Sequence, residues 1–330
     1  MRSLIFGLSL AVLGAASPAV AQRYQLAGQM PAGDGGWDLL SVSQADQRVY
    51  VARTDGVAAF DLKTGKSTDR LVPGQRVHAA LAIPGTHDVL STNGTTNDAL
   101  LFDGMTGKVR ATITTGTKPD AAAYDPATRT VWIMNPGSGD VTVVDPVSAK
   151  VLATVPVGGS LELAAADGQG RMYVNIEDKN EVAVLDTKKR KVVTRFALKG
   201  CEGPTGIAYD RATRQILSAC GENAVAIVSA PDGRQVARLP IGKGADGAAY
   251  DEKRGIALVP GGRDGNITLI RLGAKPKVVG QIATAVSART IAIDPATGRA
   301  YLPSAQLQPA ENGERPKPVP GSFRLLVVAP

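Results

Sequence analysis

The feature that most limits what this chain can fold into is a unit of about 42 residues that recurs seven times. Its clearest copy, residues 118–159 (KPDAAAYDPATRTVWIMNPGSGDVTVVDPVSAKVLATVPVGG), holds four short apolar runs at residues 121–124, 131–134, 141–144 and 151–157. Runs of that length, alternating or continuously apolar, have the spacing of strands, and none has a helical period. Asp125-Pro126-Ala127-Thr128 separates the first two runs, with a side-chain acceptor at the first turn position and a fixed φ at the second, which is type I turn chemistry. Residues 135–140 and Asp145-Pro146 supply the other two breaks.

Third-strand ends measure the period. They fall at Asp61, Asp103, Asp145, Asp186, Ser229, Arg271 and Ala329, with steps of 41 to 43 residues and a last step of 58. First-strand ends count the same seven units at Ser43, Pro84, Asp125, Asp167, Asp210, Asp251 and Asp294. Four strands per unit at about 40–45 residues specify an all-β chain, a seven-bladed β-propeller of four-stranded antiparallel blades. Residues 22–330 then form a single domain with no room for another. Residues 23–33 read as a fourth strand without a blade, and the seventh unit ends after its third strand. The expected closure has the N-terminal strand completing the last blade, which removes two open edges at once.

Met172-Tyr173-Val174-Asn175 and Val131-Trp132-Ile133-Met134-Asn135 on second strands, Val143-Val144-Asp145 on a third, and Thr154-Val155-Pro156-Val157-Gly158 on a fourth resemble the YVTN-repeat, YncE-like seven-bladed β-propellers of bacteria. The likeness spans essentially the whole chain after residue 21. It implies the fold; many members have no assigned reaction, and fold alone does not assign a function.

Residues 1–21 carry one basic residue, Arg2, then an apolar run over residues 4–16 and Ala19-Val20-Ala21, the pattern of a secretory signal peptide cleaved after Ala21. The run is shorter than the roughly 20 residues of a membrane span, and no cysteine near the cleavage point can carry a lipid. The expectation is an exported protein, periplasmic or secreted, and monomeric. The net charge is +7, or +6 once Arg2 is removed, with the basic residues scattered apart from Lys188-Lys189-Arg190-Lys191, which sits at a hairpin turn and reads as a solvated one. Cys201 and Cys220 are the only cysteines, lie nine residues before and ten after the turn at Asp210, and are expected to form a disulfide in an oxidising compartment. The last unit carries a Pro-rich insertion, residues 305–321, whose four prolines exclude regular structure from most of it; a lid over the channel and a spacer are equal expectations.

Propeller ligands bind where the first strands open, so the candidates stand five positions before each first-strand end: Asp38, Ala79, Asp120, Glu162, Thr205, Asp246 and Arg289, with His78 beside Ala79. Four of the seven are acidic, which predicts a negative funnel in a basic protein. Arg53, Asn135 and Arg263, at the ends of second strands, form a second tier. Carboxylate oxygens suit Ca²⁺ or Mg²⁺, for which Asp120, Glu162 and Asp246 are the expected ligands, although local backbone hydrogen bonds explain the same residue types. No cofactor is required by any motif: Cys-x-x-Cys-His, Gly-x-Ser-x-Gly and phosphate-cradling glycine loops are all absent.

Three readings follow. The first is a non-enzymatic binding or scaffold protein acting through the channel mouth on a protein or small-molecule partner. The second is a divalent-metal-assisted lyase or lactonase at the same mouth, with His78 moving a proton. The third is single-stranded nucleic-acid binding, which has been proposed within the resembled family. The 4% aromatic content argues against it, because base stacking needs aromatics among the basic residues.

Overall fold

The computed structural model describes residues 24–221, 223–309 and 316–330. The signal-peptide expectation therefore lies outside the described residues. Twenty-eight strands, β1 to β28 in chain order, form seven four-stranded antiparallel sheets, and no helix longer than the single 3₁₀ turn Glu177–Lys179 occurs among the described residues. In the template unit, β10 (Ala122–Asp125), β11 (Thr130–Asn135), β12 (Asp140–Asp145) and β13 (Lys150–Pro156) follow the four expected runs and pair in sequence order.

Burial explains the pattern of those runs. All six residues of β11 are buried, because blades pack face to face and a second strand has neighbours on both sides; β13 is mostly exposed because it is the outer edge. Seven apolar clusters result, one between each pair of neighbouring blades. Trp132, Leu161 and Met172 join blades three and four, whereas Leu90, Leu101, Val131 and Ile133 join two and three.

The ring closes as expected. β1 (Gln25–Pro31) forms the outer edge of the last sheet, paired along β28 (Arg324–Ala329) from Gln25 opposite Ala329 to Pro31 opposite Arg324. Just before it, buried Tyr24 donates its hydroxyl to Asp251 in blade six, tying this segment across a blade boundary.

The turn residues that mark the repeat are spent on structure. Asp125 is fully buried and accepts from the backbone N–H of Ala127 and Thr128 and from the Thr128 hydroxyl, as the type I turn reading requires. Asp210 and Asp294 do the same for their own turns. On this face polar contacts also lace adjacent blades: Gln44 to Asp294, Arg211 to Glu252, and His87 to Asp46. His87 lies on the face away from the channel mouth, and its imidazole is mostly exposed.

Cys201 and Cys220 are joined in a disulfide, Cα atoms 5.2 Å apart, beside the point where β18 (Pro204–Asp210) begins. In the last blade, residues 307 and 318 bridge the two sides of the Pro-rich insertion, and Gly321 N–H donates to both carboxylate oxygens of Asp34 at 2.8 and 2.7 Å. Ser287 donates to the Ala305 carbonyl at its base.

Candidate functional site

At or just before each innermost strand the chain carries the same two-residue pattern. Trp37, Val77, Pro119, Leu161, Pro204, Ala245 and Ala288 are buried between blades, and each is followed by a half-buried residue: Asp38, His78, Asp120, Glu162, Thr205, Asp246 and Arg289. One residue per blade thus converges on the mouth.

This corrects the sequence count in one blade. In blade two the first strand is Val77–Ala82, and the position equivalent to Asp294 is Ile83, whose N–H bonds to the Asp88 carbonyl just as that of Asp294 bonds to Arg299; it is not Pro84. Counting from Pro84 put Ala79 in the ring; Ala79 is buried, and His78 holds the position. The apolar-then-polar pair Val77-His78, parallel to Trp37-Asp38 and Leu161-Glu162, was the signal that locates it.

Around most of the circle, charges alternate. Arg289 Nε donates to Asp246 Oδ2 at 2.7 Å, and its Nη2 lies 3.8 Å from Asp38 Oδ1. His78 Nδ1 lies 2.8 Å from Asp38 Oδ2 and 3.8 Å from Asp120 Oδ2. The series Asp246, Arg289, Asp38, His78, Asp120 therefore crosses five blades. Backbone contacts hold it: Thr290 donates to the Asp38 carbonyl at 3.0 Å, Thr92 to the Asp120 carbonyl at 2.6 Å, and Thr205 to the Ala245 carbonyl at 3.1 Å.

Glu162 breaks the alternation. Its carboxyl has no hydrogen-bond or ion-pair partner among the described residues, and burial, followed by the charges of Asp120, Asp246, Glu177 and Asp38, pushes its pKa up to about 9. Burial likewise pushes Asp120 and Asp246 up to about 6; His78 opposes the rise at Asp120 and Arg289 opposes it at Asp246. The hydrogen bond to Asp38 raises His78 against the effect of burial. Burial works against the Arg289 charge, but Asp246 and Asp38 outweigh it and the guanidinium is held more firmly protonated. Such displaced ionisations mark crowded carboxylates in a partly desolvated site.

Below the ring the channel turns apolar. Leu39, Ala80, Ala122, Leu163, Gly247 and Ile291 line a cavity of about 90 Å³, which gives the polar mouth an apolar floor. Two larger concavities lie on the outer wall, one of about 530 Å³ along Lys199 and Gln235 and one of about 670 Å³ behind the Pro-rich loop. The mouth is therefore not the sole concave surface; it is the one where carboxylates from several blades gather with an imidazole and a guanidinium.

The second-tier residues do not join the ring. Arg53 is buried, donates to the carbonyls of Gly36 and Gly33 at 2.8 Å each, and lies 3.9 Å from the centre of the Phe323 ring, so it clamps blade one to blade seven. Asn135 is fully buried and donates to Asp140 and Thr142. Arg263 is exposed on the rim. Nor do Asp120, Glu162 and Asp246 gather three donor atoms within 4.8 Å of one another; Asp38, His78 and Asp120 do. The acidity of the mouth was legible from the repeat, whereas the pairing around it was not, because it depends on side chains from blades far apart in sequence.

No protein-family profile matches the chain, and no curated protein matches it in sequence. Solved structures do. The RRP9 WD40 repeats superpose with a TM-score of 0.77 at 11% identity, covering 93% of this chain and 100% of that one. A chain of the U3-55K structure gives 0.76 at 11% identity, covering 91% and 97%. A chain of the Kuenenia stuttgartiensis hydrazine synthase gives 0.70 at 14% identity, covering 83% and 94%. At these identities the likeness shows the fold alone, and that fold is a seven-bladed β-propeller.

Proposed function

We propose that this chain is an exported, YncE-like β-propeller that works as a non-enzymatic binding protein and takes a positively charged group, an organic ammonium, into its channel mouth. The observation that carries the reading is Glu162. A carboxyl is set at a ring position between Asp120 and Asp246 without a donor of its own, on the arc of the mouth that has neither His78 nor Arg289. An ammonium there displaces the proton that Glu162 otherwise keeps and extends the alternation of charge that the neighbouring ring residues make, above an apolar floor. The compatible role of WD40-type propellers as protein-binding scaffolds supports the same class of function, and the repeat motifs support the YncE-like assignment.

Calorimetric titration of the chain from Gln22 onward tests this with putrescine and with a terminally blocked lysine tripeptide, which separate a small-molecule source of the ammonium from a protein source. Binding of either is expected to weaken by more than about 10-fold in the variant Asp120→Asn/Glu162→Gln/Asp246→Asn and to fall as salt rises. Undetectable binding of both, or equal binding by the variant, overturns the reading.

A further inference from the structure

We propose that Asp38, His78 and Asp120 form a binding site for a divalent transition-metal ion of the Zn²⁺ class, on the arc of the mouth centred on His78. The inference shares with the preceding reading the assumption that the mouth is where ligands bind, and it shares Asp120 with that site, but Asp38 and His78 lie outside it and the ligand is different.

Three blades each contribute one donor, and the three donor atoms lie within 4.8 Å of one another. The His78 Nδ1 separations from the two carboxylate oxygens are 2.8 and 3.8 Å. Two donors held roughly 2.0–2.2 Å from a tetrahedral ion stand about 3.3 Å apart, a value that these two distances bracket. The donor set is one imidazole nitrogen with two carboxylate oxygens. Imidazole favours Zn²⁺ and its neighbours over Ca²⁺ and Mg²⁺, which prefer an all-oxygen set, so the ion differs in kind from the one expected from Asp120, Glu162 and Asp246.

Two further features hold the donors in place. A Cβ on Gly94 would come within 2.8 Å of His78 Cδ2 and 2.9 Å of Nε2, so the imidazole lies flat against a backbone stretch where only glycine leaves room for it. The second oxygen of Asp38 faces Arg289 Nη2 at 3.8 Å, leaving Oδ2 for the site, and Thr92 fixes the Asp120 backbone. Ligands supported by such outer contacts are oriented before the ion arrives. His87, the only other histidine, lies on the far face with Asp46 and has no comparable third donor among the described residues.

The test is titration of the chelator-treated chain with Zn²⁺ alone, and separately with Ca²⁺ and Mg²⁺. The expected result is one Zn²⁺ per chain, with at least about 10-fold weaker affinity in His78→Ala and in Asp38→Asn, since removing a direct ligand costs no less than removing an outer partner. Asp38→Asn preserves shape and decides the matter if His78→Ala does not fold. His87→Ala is expected to bind as the unaltered chain does. Absence of Zn²⁺ binding, affinity unchanged by both ring substitutions, or loss only in His87→Ala overturns the metal site. Zn²⁺ failing while putrescine binds overturns this inference alone; Zn²⁺ binding while the ammonium probes fail leaves it standing and overturns the earlier reading.

Discussion

Replacing Glu162 with Gln should stabilise the protein, and by an amount that grows with pH. The folded carboxyl keeps its proton up to about pH 9, whereas the unfolded one releases it near 4.5. Stability that is fully present below about pH 4.5 is therefore lost progressively as pH rises toward 9. Taken at face value, the 2.5 units between 4.5 and neutral pH correspond to a ceiling of about 3 kcal/mol at pH 7. The mouth is solvated and Glu162 is only half-buried, so screening reduces this to roughly 1–2 kcal/mol. A chain of this size changes its Tm by about 1.5 °C per kcal/mol, so Glu162→Gln should melt about 2–3 °C higher at pH 7. The assay is calorimetric melting of both proteins at pH 5, 7 and 9. The difference should be near zero at pH 5 and largest at pH 9; a difference independent of pH, or a variant that melts lower at pH 9, refutes the account of crowded carboxylates.

Three other outcomes follow from the packing. Tyr24→Phe removes the hydroxyl bonded to Asp251 and should cost about 1–2 kcal/mol, while deleting residues 22–31 uncovers the edge of β28 and should lower the Tm by many degrees; thermal melts check both, and an unchanged melt of the deletion contradicts the closure. Gly206→Ala places a Cβ 2.4 Å from the Gly247 carbonyl carbon, where the innermost strands of blades five and six meet, and should cost about 1–3 kcal/mol in urea unfolding. Changing Cys201 and Cys220 both to Ser opens a link across 19 residues and should cost about 3 kcal/mol, read by the same unfolding measurement against the oxidised protein.

The fold was legible because its signal is local and repeated. The Asp125-Pro126-Ala127-Thr128 turn hydrogen-bonds as its residue types dictate, and second strands such as β11 are apolar throughout because blades cover both faces. The closure was legible from a surplus strand at one end and a missing one at the other. The site was legible only as a composition. Asp38, Asp120, Glu162 and Asp246 could be counted, but that Arg289 turns to Asp246 and His78 to Asp38 depends on contacts between chain segments about 40 residues apart. Arg53 misled for the converse reason: its guanidinium is taken up by two carbonyls and the Phe323 ring, and a charged residue near the mouth looks the same in sequence whether it faces the channel or a blade interface.

The most direct test of the central claim is a crystal structure of the chain from Gln22 onward grown with putrescine. The account predicts seven blades with one ammonium within hydrogen-bonding distance of Glu162 and its neighbours Asp120 and Asp246. Density for the ligand on the outer wall only, or a mouth in which these three carboxylates turn away from the channel, contradicts it.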